Sequence, residues 1–472
     1  MNASDVPSEL HCVFQIQRAA YEAAPFAEWD ERRGRLERLQ RLLHNNESAI
    51  ESAIDSDFAG RPHIETQIAE IFPSGAEIRG ALKHGKRWMK PRSASVSKWF
   101  LPARAQVVPR PLGVVGIIVP WNYPLFLAVS PLVTALAAGN RVMIKMSEFT
   151  PTFSELFQRL VASAFRANEV AVITGGPEVA AQFSALPFDH LLFTGSTTVG
   201  RKVMGAAAQN LTPLTLELGG KSPTVIAPGY PIEHAAQRVL AGKLLNAGQT
   251  CIAPDYVLVP RAMLRAFVES ARRQARAMYP AGLADKDYCS IVNARQYDRL
   301  RASLQQVRAA GTEIVPLFDG TESNDAAHRL APAILVDPPA QTSVMCDEIF
   351  GPLLPVVAYD DLKEALAFIN AQPRPLALYW FDNDRQRVEW ALKNTHAGGV
   401  CINETLMHVA QDDLPFGGVG ASGMGHYHGR WGFDTFSKLT PVFRQSRFNG
   451  MKLFLPPYKP HVARMLRLMK KF

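Results

Sequence analysis

The sequence predicts an α/β protein built of two doubly wound domains with a small added arm. Three observations predict it. At 472 residues the chain exceeds the size at which a single hydrophobic core stops growing, so it must divide. From about residue 112 its apolar segments alternate between strand and helix periodicity, the pattern of parallel sheets covered by helices. That alternation runs in two series, which meet at Gly219 and Gly220.

From Asn2 to His84 the period is helical, with Leu36, Leu39, Leu42 and Leu43 recurring among arginines and glutamates, and nothing catalytic is visible there. Residues 91–111 (PRSASVSKWFLPARAQVVPRP) break the helical period into an extended, hairpin-like arm of the kind that pairs with another subunit. The first series then reads as strand GVVGIIVP, a helix to Gly139, strand RVMIKMS, a helix from Pro151, strand EVAVITG, another helix, strand DHLLFTG and a helix from Ser196. The second series begins at TVIAP near Thr224 and carries strands YVLVP, AILVD, LPVVAY, LALYWFD and VCINE between helices rich in Ala, Leu and Arg.

Composition bounds the function. Hydrophobic content of 47% with 32 Gly and 34 Pro is that of a folded globular enzyme, not of a fibrous or disordered chain. The net charge of +8 would suit an anionic ligand, but the basic excess sits in amphipathic helices and in the tail, which reads as solvated faces and not as a nucleic-acid site. Five scattered cysteines without CxxC pairs or neighbouring histidines point to a reducing compartment and no metal. MNASDVPSEL lacks a basic, apolar-cored leader and no apolar stretch is long enough to span a bilayer, so the expected address is cytoplasmic.

Five segments carry chemistry. In GQTC, Cys251 follows a helical run ending at Asn246 and sits at an irregular junction, where backbone donors or a cofactor charge would favour the reactive thiolate; Cys12, Cys289, Cys346 and Cys401 read as small hydrophobes. In LELGGKSP, Glu217 lies among apolar residues at a strand end, which raises proton affinity and suits a base that activates water; the alternative is an ion pair with Lys221. In PWNYP, Asn122 could donate to an oxyanion, the alternative being a turn asparagine. FTGSTTVG closes a strand and opens a helix whose amides would face a pyrophosphate, or is merely a tight strand-to-helix turn, while Lys145, Ser147 and Glu148 at the end of RVMIKMSE suit ribose recognition, the alternative being an ordinary charged strand end. In EIFGP, Glu348 and Phe350 could hold a nicotinamide ribose and ring, or Phe350 could be core.

In order, PWNYP, KMSE, FTGSTTVG, LELGGKSP, GQTC, EIFGP and PFGGVGASG resemble the aldehyde dehydrogenase superfamily. NAGQTCIAPDYVLV is similar to its class 3 branch, and FSKLTPVFRQSRFNG resembles the ending of bacterial coniferyl aldehyde dehydrogenases. The resemblance implies Cys251 as nucleophile, Glu217 as general base, and Asn122 with the Cys251 amide as oxyanion hole. It implies a Rossmann-like cofactor domain (residues 1–90 and 112–219), a catalytic domain (220–433), an oligomerisation arm (91–111 and 434–447) and a basic tail (448–472). Trp121, Lys145, Ser147 and Glu148 would line the adenosine side. Gly195, Ser196, Thr197, Thr198, Val199 and Gly200 would hold the pyrophosphate, and Leu218, Glu348 and Phe350 the nicotinamide side. A homodimer is implied. Met146 departs from the proline usual in KPSE. The Glu148 carboxylate argues for NAD, with NADP as the alternative.

Tyr123, Phe126 and Leu127 beside Asn122 suggest an apolar or aromatic substrate entrance. The expected reaction is oxidation of an aldehyde, coniferyl aldehyde first and aliphatic aldehydes second, to the acid through a thiohemiacetal and a thioester. A CoA-acylating enzyme has no need of Glu217, and a non-catalytic binding protein has no need of the three residues together. The tail ends too short and basic to span a bilayer, and Phe454, Leu455, Leu466 and Met469 are expected to pack on the body.

Overall fold

A computed structural model describes residues 6–470. The polar start from Met1 to Asp5, including Asn2, lies outside the described residues, as do Lys471 and Phe472. The leucine-rich beginning resolves into α1 (Val6–Ala23), α2 (Trp29–Asn45), α3 (Glu47–Phe58), the short α4 (His63–Thr66) and α5 (Phe72–Trp88). Leu36, Leu39, Leu42 and Leu43 are all buried, so the stripe faces the core. Between α4 and α5 the chain makes one π-helical turn, Gln67–Ile71.

The arm follows as β1 (Arg92–Ala94) and β2 (Arg104–Pro111). Then come β3 (Val114–Ile118), α6 (Phe126–Ala138), β4 (Arg141–Lys145), α7 (Pro151–Ala164), β5 (Val170–Ile173), α8 (Pro177–Ser184), β6 (His190–Thr194), α9 (Thr197–Ala208) and β7 (Leu214–Glu217). Helix α6 is apolar almost all round because it is buried almost all round, and Gly139 ends it at φ 96°. Strands β7, β6, β3, β4 and β5 lie side by side and parallel.

The chain crosses to a second sheet at Gly219 and Gly220. Its elements are β8 (Pro223–Ile226), α10 (Ile232–Leu244), β9 (Tyr256–Pro260), α11 (Leu264–Met278), α12 (Ala294–Ala309), β10 (Glu313–Pro316), β11 (Ser323–Asn324), β12 (Arg329–Leu330), β13 (Ala333–Val336), α13 (Ser343–Cys346), β14 (Leu353–Tyr359), α14 (Leu362–Asn370), β15 (Ala377–Phe381), α15 (Arg385–Asn394) and β16 (Gly399–Ile402). The sheet order is β10-β13-β14-β9-β8-β15-β16, parallel except for the edge strand β10. Every strand expected from the sequence is present. β10 was missed because a four-residue edge strand carries little periodicity.

The chain then returns. β17 (Gly423–Met424) pairs antiparallel with β7, Gly423 opposite Glu217, and closes the edge of the first sheet. After α16 (Gly429–Thr435), β18 (Ser437–Arg444) pairs along the whole of β2 and completes a three-stranded antiparallel arm, β1-β2-β18. The tail forms α17 (Pro460–Met469). Its expected packing needs correction: α17 buries Val462, whereas Leu466 and, before the helix, Leu455 are exposed. Phe454 and Met469 are half-buried. Among the described residues no helix is long and apolar enough to cross a membrane, and no group of three His, Cys, Asp or Glu could hold a metal ion.

Candidate active site

Cys251 is presented by a turn that only a broken helix can make. The helical run ends at Leu244, two residues earlier than the sequence suggested, because Asn246 and Ala247 take left-handed conformations (φ 53° and 50°). Gly248 continues the turn at φ 77°, where a Cβ would stand 2.3 Å from the Gly351 carbonyl oxygen, so only glycine fits. Gln249 is a fully buried strut. Its Nε2 donates to the Asn246 and Ser290 carbonyls (2.9 and 3.0 Å) and its Oε1 accepts from the Val292 amide (3.0 Å). Cys251 follows at the start of the next turn, partly exposed, just before β9.

Asn122 lies beyond the end of β3 and is buried. Its Nδ2 donates to the Gln249 carbonyl (3.1 Å), which leaves the second amide hydrogen free. Its own carbonyl accepts from Arg61 Nη1 (2.9 Å) and Asn246 Nδ2 (3.1 Å). Tyr123 Oη shares a hydrogen bond with Thr250 Oγ1. The PWNYP and GQTC loops, 127 residues apart in sequence, are thereby laced together.

Glu217 ends β7, with both carboxylate oxygens buried and without a partner. Burial pushes its pKa well above the ordinary value. The ion pair with Lys221 does not form: Lys221 pairs with Asp255, and its ammonium also donates to the Val344 and Asp347 carbonyls (2.7 and 3.0 Å). Cys251 departs from the expectation of a lowered pKa. Burial first, then Glu348 and Glu217, push its thiol up to about 12, against the smaller opposing effect of the Cys251 and Ile252 amides. Glu348 is itself raised to about 8, by burial and by Asp255. A Cβ on Gly219 would stand 1.9 Å from Glu348 Oε2, so the LELGG glycine is what admits this carboxylate.

Two cavities meet at Cys251. The larger, about 550 Å³, takes in Trp121, Asn122, Gly195, Ser196, Thr197, Thr198, Glu217, Leu218, Glu348 and Phe350. The Trp121 and Phe350 rings meet edge to face at 5.2 Å. Val199 and Gly200 stand in the first turn of α9 behind that wall. Lys145, Ser147 and Glu148 lie at the end of the neighbouring β4 and do not line it. Lys145 is buried, its ammonium bonded to the Met146 and Gly175 carbonyls (2.6 and 2.7 Å), while Glu148 is exposed.

The larger cavity fits a dinucleotide. Ser196 caps α9 by accepting from the Val199 amide (3.4 Å), and first-turn amides of a helix have no intrahelical partner, so residues 197 and 198 offer donors to an anion. Thr194 Oγ1 and Glu348 Oε1 are buried without partners on the same wall, polar atoms suited to hydroxyl groups.

The smaller cavity, about 170 Å³, has an almost wholly apolar wall that includes Ile68, Ala69, Tyr123, Phe126, Leu127, Leu406, Phe416 and Tyr427, with Cys251 again. The apolar entrance expected at Tyr123, Phe126 and Leu127 is where this cavity lies. Sequence reasoning missed Gln296 and Arg299 on the larger cavity and Ile68, Ala69, Leu406 and Tyr427 on the smaller. Helix periodicity gives no sign that a face lines a cavity; for Phe416, membership of PFGGVGASG was the one available signal.

Residues 7–442 match the family model described as "Aldehyde dehydrogenase family". The chain is 51% identical to a Pseudomonas aeruginosa protein described as "Probable coniferyl aldehyde dehydrogenase", over 97% of this chain and 96% of that one. It is 43% identical to the coniferyl aldehyde dehydrogenase of a Pseudomonas species, over 96% and 95% of the two chains. In three dimensions it resembles the substrate-bound state of Staphylococcus aureus AldH with a TM-score of 0.93 at 36% identity, covering 99% of this chain and 100% of that one.

Proposed function

Since the chain belongs to the aldehyde dehydrogenase family, whose members use NAD or NADP, we propose that it oxidises an aromatic aldehyde of the coniferyl aldehyde type through a thioester on Cys251. The observation that carries this reading is the position of Cys251 as a wall of two unlike cavities, one of mixed polar and apolar lining and dinucleotide-sized, the other almost wholly apolar. A sulfur at that junction can meet an aldehyde from one side while a cofactor occupies the other.

The aldehyde oxygen is received by the free amide hydrogen of Asn122 and by the Cys251 amide; one fixed donor of this kind is worth about 3 kcal/mol in the transition state. Attack by the Cys251 sulfur gives a thiohemiacetal. A nicotinamide held by Leu218, Glu348 and Phe350 would supply a cationic ring and the hydride acceptor that oxidation of the thiohemiacetal to a thioester requires. Glu217, without an ion-pair partner, has the raised proton affinity that suits it to take a proton from the water attacking that thioester.

Residues 195–200 are assigned to the pyrophosphate, Leu218, Glu348 and Phe350 to the nicotinamide side, and Trp121, Lys145, Ser147 and Glu148 to the adenosine side. NAD is the preferred cofactor: the exposed Glu148 carboxylate accepts from ribose hydroxyls and repels a 2′-phosphate. The six-stranded sheet is read as the core of the cofactor domain and the seven-stranded sheet as that of the catalytic domain. The β1-β2-β18 arm is read as the dimer contact, supported by the exposed, mutually packed Phe100 and Phe443. A cytoplasmic address is supported by five free cysteines.

A second reading, oxidation of aliphatic aldehydes, is favoured by one observation: the smaller cavity offers almost no polar wall to a substrate hydroxyl. The test is formation of reduced cofactor by purified protein, with coniferyl aldehyde against octanal and NAD against NADP. Faster turnover of coniferyl aldehyde, lost in Cys251→Ala, supports the proposal. Preference for octanal replaces the aromatic substrate, and no turnover of any aldehyde overturns the catalytic assignment.

A further inference from the structure

The N-terminal helical segment, which shows no catalytic pattern in sequence, holds a buried charge cluster against the site. Arg61 is fully buried and forms an ion pair with Glu70 at 2.9 Å. The Arg61 guanidinium lies 4.9 Å from the centre of the Tyr123 ring, and its Nη1 donates to the Asn122 carbonyl. Glu70 Oε2 accepts from the Leu125 and Phe126 amides (2.7 and 3.1 Å), so the same pair grips the chain again three and four residues beyond Asn122. Glu65 accepts from the Asn246 amide (3.2 Å), and Asn246 Nδ2 shares the Asn122 carbonyl with Arg61.

Two features argue that this cluster is not there for stability. Desolvating an arginine and a glutamate costs about as much as their attraction returns, so an apolar pair would hold the helices equally well. Glu70 also belongs to the one π-helical turn among the described residues, a conformation frequent at functional sites, and Ile68 and Ala69 of that turn line the apolar cavity. The turn thus aims one side chain at the Asn122 loop and two at the cavity.

We propose that Arg61, anchored by Glu70, is a positioning residue for the reaction: it fixes the Asn122 peptide so that the free side-chain amide hydrogen faces the aldehyde oxygen. This rests on the reading of Asn122 as an oxyanion donor. A peptide held at its carbonyl by two donors cannot swing, and a loop displaced by a fraction of an ångström misdirects the amide. Both contacts, to Glu70 and to the Asn122 carbonyl, come from Nη1 of a planar guanidinium seated over the Tyr123 ring; lysine at position 61 keeps the charge that Glu70 needs and loses that planar group and its fixed direction.

The test is a double-mutant cycle of Arg61→Lys and Asn122→Ala, read as the rate constant of first-turnover cofactor reduction in the intact enzyme, alongside KM for NAD and the urea midpoint. Arg61→Lys is expected to slow the first turnover about 100-fold at unchanged KM for NAD, and the double variant to be no slower than Asn122→Ala alone. A role in folding alone would lower the urea midpoint and the number of active sites but not the rate per site, and that result overturns the proposal, as does full additivity in the cycle. If Asn122→Ala leaves the rate unchanged, the oxyanion reading itself falls; if it slows the rate and Arg61→Lys does not, only the positioning role falls. Should Arg61→Lys fail to fold, Glu70→Gln carries the same expectations through the anchor.

Discussion

Tyr123 Oη and Thr250 Oγ1 share a 2.6 Å hydrogen bond, which joins the residue after Asn122 to the residue before Cys251. Both side chains are buried, so the bond is shielded from water and ties the two loops at the point where the two cavities meet.

Tyr123→Phe removes that tie and leaves the Thr250 hydroxyl without its partner. A buried bond of this kind is worth about 1 kcal/mol, with a further cost for the orphaned group. The urea midpoint is expected to fall by the corresponding amount with an unaltered m-value. No change in midpoint would mean that Thr250 finds another acceptor at no cost.

Glu217→Gln separates the two halves of the reaction. The first turnover is expected to form reduced cofactor in stoichiometric amount, while steady-state turnover falls by about 100-fold or more as the thioester waits for an activated water. Loss of the first turnover together with the steady state would take the base role away from Glu217.

The Cys251 thiol gives the pH dependence. With its pKa pushed up to about 12, the protonated form dominates through neutrality, so alkylation of Cys251 by iodoacetamide in the cofactor-free protein should rise about tenfold per pH unit between pH 7 and 10. Linkage has the same origin: unfolding lowers the pKa to about 8.5, so above that pH the unfolded chain releases a proton that the folded chain keeps, and this group's contribution falls as pH rises towards 12. An alkylation rate that levels off below pH 8 would mean a thiol already ionised.

Ala69→Phe should fill the apolar cavity from the wall formed by the π-helical turn. KM for coniferyl aldehyde is expected to rise about tenfold or more, with little change for acetaldehyde, since a pocket contact of this size discriminates by roughly 1–3 kcal/mol. Equal losses for both aldehydes would show that the substitution disturbs the Glu70 turn instead of the cavity.

Much of this was legible in sequence, and for a physical reason. GQTC, PWNYP and LELGG announce themselves because each places a reactive side chain beside residues that dictate backbone shape: Gly248 for the left-handed turn, prolines for the loop, Gly219 for the approach of Glu348. The two series of strands were legible because buried parallel strands are continuous apolar runs. What stayed hidden is what tertiary structure alone assembles. Arg61, Glu65 and Glu70 fall in a segment that shows only a helical period, and Lys145 in sequence is a basic strand end suited to a ribose, because sequence does not reveal which charge is enclosed. The brief strand β17 carries no periodicity at all and exists only because β7 offers it an edge.

That last strand sets an order of events on the ribosome. The free edge of β7, with Glu217 at its end, is met by Gly423 and Met424, which are made after both halves of the molecule. A nascent chain that stops short of them carries every reactive side chain yet leaves an open strand edge beside the general base, so synthesis must pass Met424 before the first sheet is closed and protected from edge-to-edge association.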